Sequence, residues 1–198
     1  MTDLILASAS PRRIEMLKNV GISFTVIPSK IEESAVSEKQ PSKFVSECAR
    51  LKAMEISERY PDKWVLSADT IVVINSEILG KPRDVRDAVR MLKKLSGRRH
   101  RVISAFCLVK KTEGKSIVEC VETEVKFKIL TEREITGYVA TGEPLDKAGS
   151  YGIQGIGSFL VKEIRGSYTN VVGLPLAEVI DHLIDLNVAK PFEVQCPT

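Results

Sequence analysis

Apolar and polar residues fall into short blocks whose spacing changes along the chain. Leu4-Ile5-Leu6-Ala7 is an apolar run read as a buried strand over 3–7. A helix over 11–19 follows, with Ile14, Leu17 and Val20 on its inner face and Gly21 as its stop signal. Residues 24–28 read as a second short strand and 29–40 as a polar, acidic loop. Over 42–59, Phe44, Val45, Cys48, Leu51 and Met54 or Glu55 mark a 3–4 period, hence a helix. Residues 64–74 predict a strand interrupted at Ser67-Ala68-Asp69-Thr70, and Asn75-Ser76 predicts a turn into 77–79.

Asp84 caps a helix carrying Ala88, Met91, Leu92 and Leu95, closed by Gly97. Two long β patterns, 101–110 and 116–129, meet at Thr112-Glu113-Gly114-Lys115, which predicts a hairpin. Thr131 and Glu134 form a capping box for a helix through Tyr138. Residues 141–158 are glycine-rich and irregular, a strand lies near 158–165, and Pro175 opens a last helix with Leu176, Val179, Ile180, Leu183 and Ile184 inward. Strands alternate with helices while the hairpins exclude a purely parallel sheet. The expected class is α/β with a mixed, twisted sheet.

At 198 residues the chain has the length of one domain, or of one domain with two lobes. Its 43% hydrophobic and 28% charged residues are those of a soluble globular protein. The net charge of +3 is too small to indicate an extended nucleic-acid surface. The cluster Arg98-Arg99-His100-Arg101 is the local exception, read either as a phosphate grip or as a solvated strand start. No apolar run reaches bilayer length, and no signal-peptide pattern precedes the first strand. Cys48, Cys107, Cys120 and Cys196 form no CxxC pair, and three of them read as small core residues, so a reducing cytoplasm is the expected compartment. With only His100 and His182, a zinc site of the usual kind is not expected.

Candidate chemistry begins at Ser8-Ala9-Ser10-Pro11-Arg12-Arg13. Ser10 is placed as an N-cap and Pro11 as the first helical residue. Arginines in a first turn oppose the helix dipole unless an anion arrives, so the junction is read as a phosphate site, with an ordinary strand–helix junction as the alternative. Asp69 interrupts an apolar run; a carboxylate there either binds a cation, works as a base, or caps a turn. Gly80-Lys81-Pro82 offers a point charge on a fixed turn, suited to phosphate or simply solvated. Lys52 sits beside the apolar stripe of its helix and either snorkels or points into a cleft. Glu32-Glu33 are adjacent loop carboxylates of the kind that hold Mg²⁺, with a solvated acidic loop as the commoner alternative. Residues 142–157 contain five glycines framing Asp146, Lys147 and Gln154, with neither a P-loop nor a Rossmann fingerprint. There Lys147 is suited to phosphate and Gln154 to a base edge, with a floppy exposed loop as the alternative.

Together these blocks resemble the Maf family of septum-formation-inhibitor-like nucleotide pyrophosphatases. The matching segments are Leu6 to Arg13, Ser67 to Thr70, Gly80 to Pro82, Ser96-Gly97-Arg98 with His100, Glu143 to Gly149, Tyr151 to Gly155 and Gly166 to Pro175. The resemblance implies hydrolysis of a nucleoside triphosphate to its monophosphate and pyrophosphate in the cytoplasm, with Mg²⁺ or Mn²⁺. It also implies a curved mixed sheet with flanking helices forming two lobes around a cleft, similar to inosine triphosphate pyrophosphatases, and a homodimer. Tyr151-x-Ile153-Gln154-Gly155 with Ser96-Gly97-Arg98-x-His100 is similar to the branch acting on dTTP and UTP. Carried over, the resemblance makes Asp69 the proton acceptor and gives Arg12, Thr70 and Gln154 specificity. Ser8, Arg13, Glu33, Lys52, Lys81 and Lys147 would line the site, with Glu33 and Asp69 on the metal. The competing expectations are a 7-methyl-GTP pyrophosphatase and a non-enzymatic regulator of cell division that binds a partner or nucleic acid.

Overall fold

The computed structural model describes residues 3–32 and 36–189, so Glu33 and Cys196 lie outside the described residues. In chain order the elements are β1 (Leu4–Leu6), α1 (Pro11–Asn19), β2 (Thr25–Val26), α2 (Pro41–Arg59), β3 (Trp64–Ile74), β4 (Glu77–Leu79) and α3 (Val85–Leu95). Then follow β5 (Arg99–Lys110), β6 (Lys115–Phe127), α4 (Glu132–Ala140), β7 (Val161–Arg165), α5 (Tyr168–Val172) and α6 (Leu176–Asp185). The described strands form a seven-stranded sheet in the order β2-β1-β3-β5-β6-β7, with β4 added to β3. β1 runs parallel to β2 and β3, with Leu6 opposite Leu66, while β4 and β7 pair antiparallel. The sheet is mixed and helices accompany it, as the alternation of patterns predicts.

The chain packs as two compact units. The first takes the described residues of Met1–Asp69, Ser104–Cys120 and Gly173–Thr198. Its β1 and the first half of β3 are buried on both faces, as parallel strands covered on both sides are, and apart from Ser67 and Asp69 they are apolar. α2 buries Val45, Cys48, Ala49, Ala53 and Ile56. In α1 the buried residues are Met16 and Leu17, and Val20 is 40% exposed, correcting its expected inward position. Val20 follows the last helical residue, where the period no longer sets its direction. α6 buries Val179 and Leu183, four residues apart, and leaves Ile184 exposed.

The second unit takes Thr70–Ile103 and Val121–Val172. Its core joins Val72, Ile74 and Leu79 to Met91, Leu92 and Leu95 of α3, Phe127 of β6, and Ile135 and Tyr138 of α4. Each fully buried leucine contributes roughly 2 kcal/mol by removal of apolar surface from water. Asn75 and Ser76 have φ of 49° and 66°, the two positive values that a tight hairpin turn between β3 and β4 requires. Asp84 accepts from the Asp87 amide at the start of α3, and Thr131 with Glu134 forms the expected capping box.

Two further readings are corrected. β3 is continuous through Ser67-Ala68-Asp69-Thr70, because its polar side chains find partners without breaking the ladder. Cys120 is exposed, since the outer half of β6 alternates between half-buried and exposed positions. The cluster at 98–101 is a strand start, one of its two expected readings: β5 begins at Arg99, and Arg98 and Arg101 are exposed. Arg99 bridges Glu124 and Glu163 at 2.7 Å each, Arg101 pairs with Glu122 at 3.0 Å, and His100 is buried. α5 has no periodic signal because it is five residues long; Ser167 Oγ accepts the Asn170 amide at 3.2 Å in its first turn.

Candidate functional site

In the first unit, the β1–α1 junction turns at Ser8. Its buried hydroxyl accepts from the Ser10 amide at 3.3 Å and from Arg13 Nη1 at 3.2 Å. Arg13 Nε donates to the Gly173 carbonyl at 2.7 Å, so two bonds aim the guanidinium. Ser10 is the N-cap by position, but its side chain makes no cap hydrogen bond. The hydroxyl that orders this turn is therefore Ser8. Arg12 and Arg13 both lie in the first turn of α1, where no acidic residue is present. Two cations at a positive helix terminus favour an anionic ligand.

α2 meets β3 through a matched spacing. Ala49 and Lys52 are three apart and share a helix face, while Ser67 and Asp69 are two apart and share a strand face. Ser67 Oγ donates to the Ala49 carbonyl at 2.5 Å, and Lys52 Nζ donates to Asp69 Oδ1 at 2.5 Å. Asp69 is 3% exposed, and its second oxygen, Oδ2, is buried without a hydrogen-bond partner. A buried carboxylate oxygen left open is costly unless a ligand or water completes it. One oxygen held and one open describe a carboxylate fixed in orientation and ready to accept a proton or bind a cation.

The open oxygen bears on a divalent cation. Among the described residues no group of three His, Cys, Asp or Glu side chains could hold a metal ion. An all-protein cage is thus not present among them. A hard oxygen at Asp69 Oδ2 does fit Mg²⁺ or Mn²⁺ of the kind held by one or two carboxylates together with substrate phosphates. Glu32 is exposed on its loop, and its neighbour Glu33 is outside the described residues.

The second unit carries the remaining candidates. Thr70 is half-buried on β3, and Lys81 is exposed on the turn after β4, with no ion pair among the described residues. The Gly149 amide donates to the Gly80 carbonyl at 3.0 Å, which ties the Lys81 turn to the 142–157 loop. Gly149 lies so close to Val72 that a Cβ there would meet Val72 Cγ2 at 2.8 Å. Lys147 Nζ donates to the Glu143 carbonyl at 2.5 Å and to Asp146 Oδ1 at 2.7 Å, so it is held by its own loop. Gln154 is exposed and immediately precedes the 3₁₀ turn Gly155–Leu160.

Two residues not singled out by pattern organise this loop. The Glu143 carboxylate accepts from the amides of Ile156 and Gly157 and from the Tyr138 hydroxyl, all at 2.9 Å. Burial pushes the Glu143 carboxyl up, but the two amides and the hydroxyl pull it further down, below the usual carboxylate range. Tyr138 also accepts from the Gly152 amide at 3.1 Å, and burial raises its hydroxyl pKa. Beneath the loop, His100 Nε2 is 2.8 Å from the Tyr151 hydroxyl, and the His100, Tyr151 and Phe127 rings meet edge to face. Burial lowers the His100 pKa to about 3, so the ring is neutral. Glu143 belongs to the motif at 143–149, but no spacing rule joins it to Tyr138, Ile156 and Gly157.

Comparison with known proteins adds to this geometry. The chain is 48% identical to a "dTTP/UTP pyrophosphatase" of Syntrophotalea carbinolica, over 98% of this chain and 89% of that protein. It is 51% identical to a protein of the same name from Desulfotalea psychrophila, over 93% of this chain and 95% of that one. Among solved structures, a nucleoside-triphosphatase, dITP/XTP pyrophosphatase, of Mycobacterium abscessus aligns over 92% of this chain and 97% of its own. That alignment has a TM-score of 0.48 and 17% identity. The family model described as Maf-like protein matches residues 3–186, and so takes in Ser8, Arg13, Lys52 and Asp69 as well as the whole 142–157 loop. This chain belongs to the Maf-like protein family.

Proposed function

We propose that this chain is a nucleoside triphosphate pyrophosphatase that cleaves the α–β phosphoanhydride of dTTP and UTP. The observation that carries the reading is the buried Asp69 carboxylate, with Oδ1 paired to Lys52 and Oδ2 open. Relatives of about half identity bearing the name dTTP/UTP pyrophosphatase support the substrate class. The family resemblance supports Arg12, Thr70 and Gln154 as the residues that select the nucleotide, and also a homodimer working in the cytoplasm.

In this reading, water adds to phosphorus, the bridging P–O bond breaks, and pyrophosphate departs from the nucleoside monophosphate. Asp69 Oδ2 orients the water and takes its proton, while Lys52 holds the other oxygen and keeps the carboxylate aimed. Arg12, Arg13 and the first turn of α1 bind phosphate oxygens, and Ser8 keeps Arg13 in place. Lys81 and Lys147 supply further positive charge. Asp69, with Glu33 outside the described residues as the expected second ligand, would hold a divalent cation, which would supply charge neutralisation on the phosphates and a more acidic bound water.

The test is a panel of dTTP, UTP, CTP, dITP and 7-methyl-GTP, each assayed with Mg²⁺, with Mn²⁺ or with EDTA, reading pyrophosphate against orthophosphate. Metal-dependent pyrophosphate release from dTTP and UTP above the others is the expected result. Orthophosphate as the only product, or no turnover of any triphosphate, would overturn it. Preference for 7-methyl-GTP would overturn the substrate assignment.

A further inference from the structure

Gln154 sits near the middle of a six-residue turn, 152–157, whose two ends are held by one side-chain relay. At one end the Gly152 amide donates to Tyr138 Oη. Tyr138 in turn donates to Glu143 Oε1. At the other end the Gly157 amide donates to the same Oε1 and the Ile156 amide to Oε2. Glu143 thereby satisfies the first amides of the Gly155–Leu160 turn, the office a capping carboxylate performs from within its own helix. Four hydrogen bonds, three of them to a charged acceptor, close a ring around an exposed glutamine.

The crowding is equally specific. A Cβ at residue 157 would lie 2.4 Å from both the Gly152 carbonyl and Tyr138 Oη. Backbone and hydroxyl therefore touch without a side chain between them. The nearby Lys147 is held differently, by the Glu143 carbonyl and Asp146. A change in the Glu143 side chain releases the Gln154 turn while leaving the acceptors of Lys147 in place.

We infer that Glu143, acting through Tyr138, is a positioning residue for base selection: it fixes the turn that presents Gln154. The inference rests on the reading of Gln154 as the base contact. A glutamine on a loosened turn still reaches a base but must first be ordered, so the cost falls on binding and on discrimination rather than on the chemical step.

The experiment compares Glu143→Ala, Glu143→Gln, Tyr138→Phe and Gln154→Ala with the unaltered enzyme. Amide hydrogen exchange at Gly152, Ile156 and Gly157 tests the anchor without reference to activity, and at least about tenfold faster exchange is expected in Glu143→Ala. In the same variant the KM for dTTP should rise by about tenfold while kcat changes by less than about threefold. The dTTP-to-CTP ratio of kcat/KM should fall in parallel with that of Gln154→Ala. Glu143→Gln keeps one acceptor oxygen and Tyr138→Phe keeps the ring, so both should fall between the extremes and remain measurable if the alanine variant does not fold. Unchanged exchange in the Glu143 variants overturns the anchor. Selectivity lost in Gln154→Ala but kept in both Glu143 variants overturns the positioning role. Selectivity kept in Gln154→Ala overturns the base contact on which the inference depends, while the exchange result still decides whether Glu143 holds the turn.

Discussion

The two regions that hold the candidate residues are built in opposite ways. Around Asp69, position comes from regular structure: a buried parallel strand, a long helix, and a spacing of three on one matched to two on the other. Gln154 itself lies on no strand or helix, and the short 3₁₀ turns beside it are held by a glutamate, a tyrosine hydroxyl and backbone amides. The first region hides its carboxylate at 3% exposure, and the second leaves its glutamine exposed. A group that moves a proton gains from burial and fixed orientation, because a low-dielectric setting strengthens every contact and removes reorganisation. A group that sorts ligands gains from an accessible turn whose order can be tuned by one acceptor.

Three changes probe that contrast. The largest effect is expected from Asp69→Asn, which keeps the shape but cannot take a proton. Pyrophosphate release should fall by at least about a thousandfold in a variant that still unfolds cooperatively. Activity within tenfold of the parent would place the proton acceptor elsewhere. Next is Lys52→Met, which strands a buried carboxylate. Unfolding free energy should drop by about 3 kcal/mol, and adding Asp69→Asn should restore part of it. Additive losses in denaturant titrations would show that the pair is not coupled, and the strand–helix match would lose its meaning.

The smallest effect concerns the floor of the second region. The folded protein keeps His100 neutral, with its pKa lowered by burial to about 3, whereas the unfolded chain protonates near the ordinary value of about 6.5. The unfolded state therefore binds more protons as pH falls through this window. Stability is full above about 6.5 and lost progressively toward 3. This residue should account for roughly 2 kcal/mol between pH 7 and pH 5, and His100→Gln should flatten the slope by that amount. Equal slopes in urea titrations would mean that His100 is not held neutral.

The elements that bound the first region were largely readable from residue order. Hydrophobic period and cap residues locate α1, α2 and the β3–β4 hairpin because each is a local effect of neighbours three, four or two apart. Asp69 was visible as a charge in an apolar run, but the pattern implied a broken strand. Only its contact with Lys52, seventeen residues earlier, explains why the strand continues. The second region was legible in composition and not in mechanism. Glycine density marked 142–157 as special, yet the bonds that order it join residues five to fourteen apart with no period. Cys120 misled, and the partners of Arg99 stayed invisible, for a related reason. A strand's exposed edge and its cross-strand carboxylates depend on which strand lies alongside.

The contact of residue 157 with the Gly152 carbonyl and Tyr138 Oη divides the loop for anyone who would redesign it. Positions 153, 154 and 156 are half-buried or exposed and are open to randomisation in a search for new nucleotide preferences. Position 157 has room for hydrogen alone, so even alanine there forces the turn or the tyrosine to move by several tenths of an ångström. A library that keeps Tyr138, Glu143 and Gly157 constant would sample side chains on an intact frame; one that includes them would mostly sample broken frames.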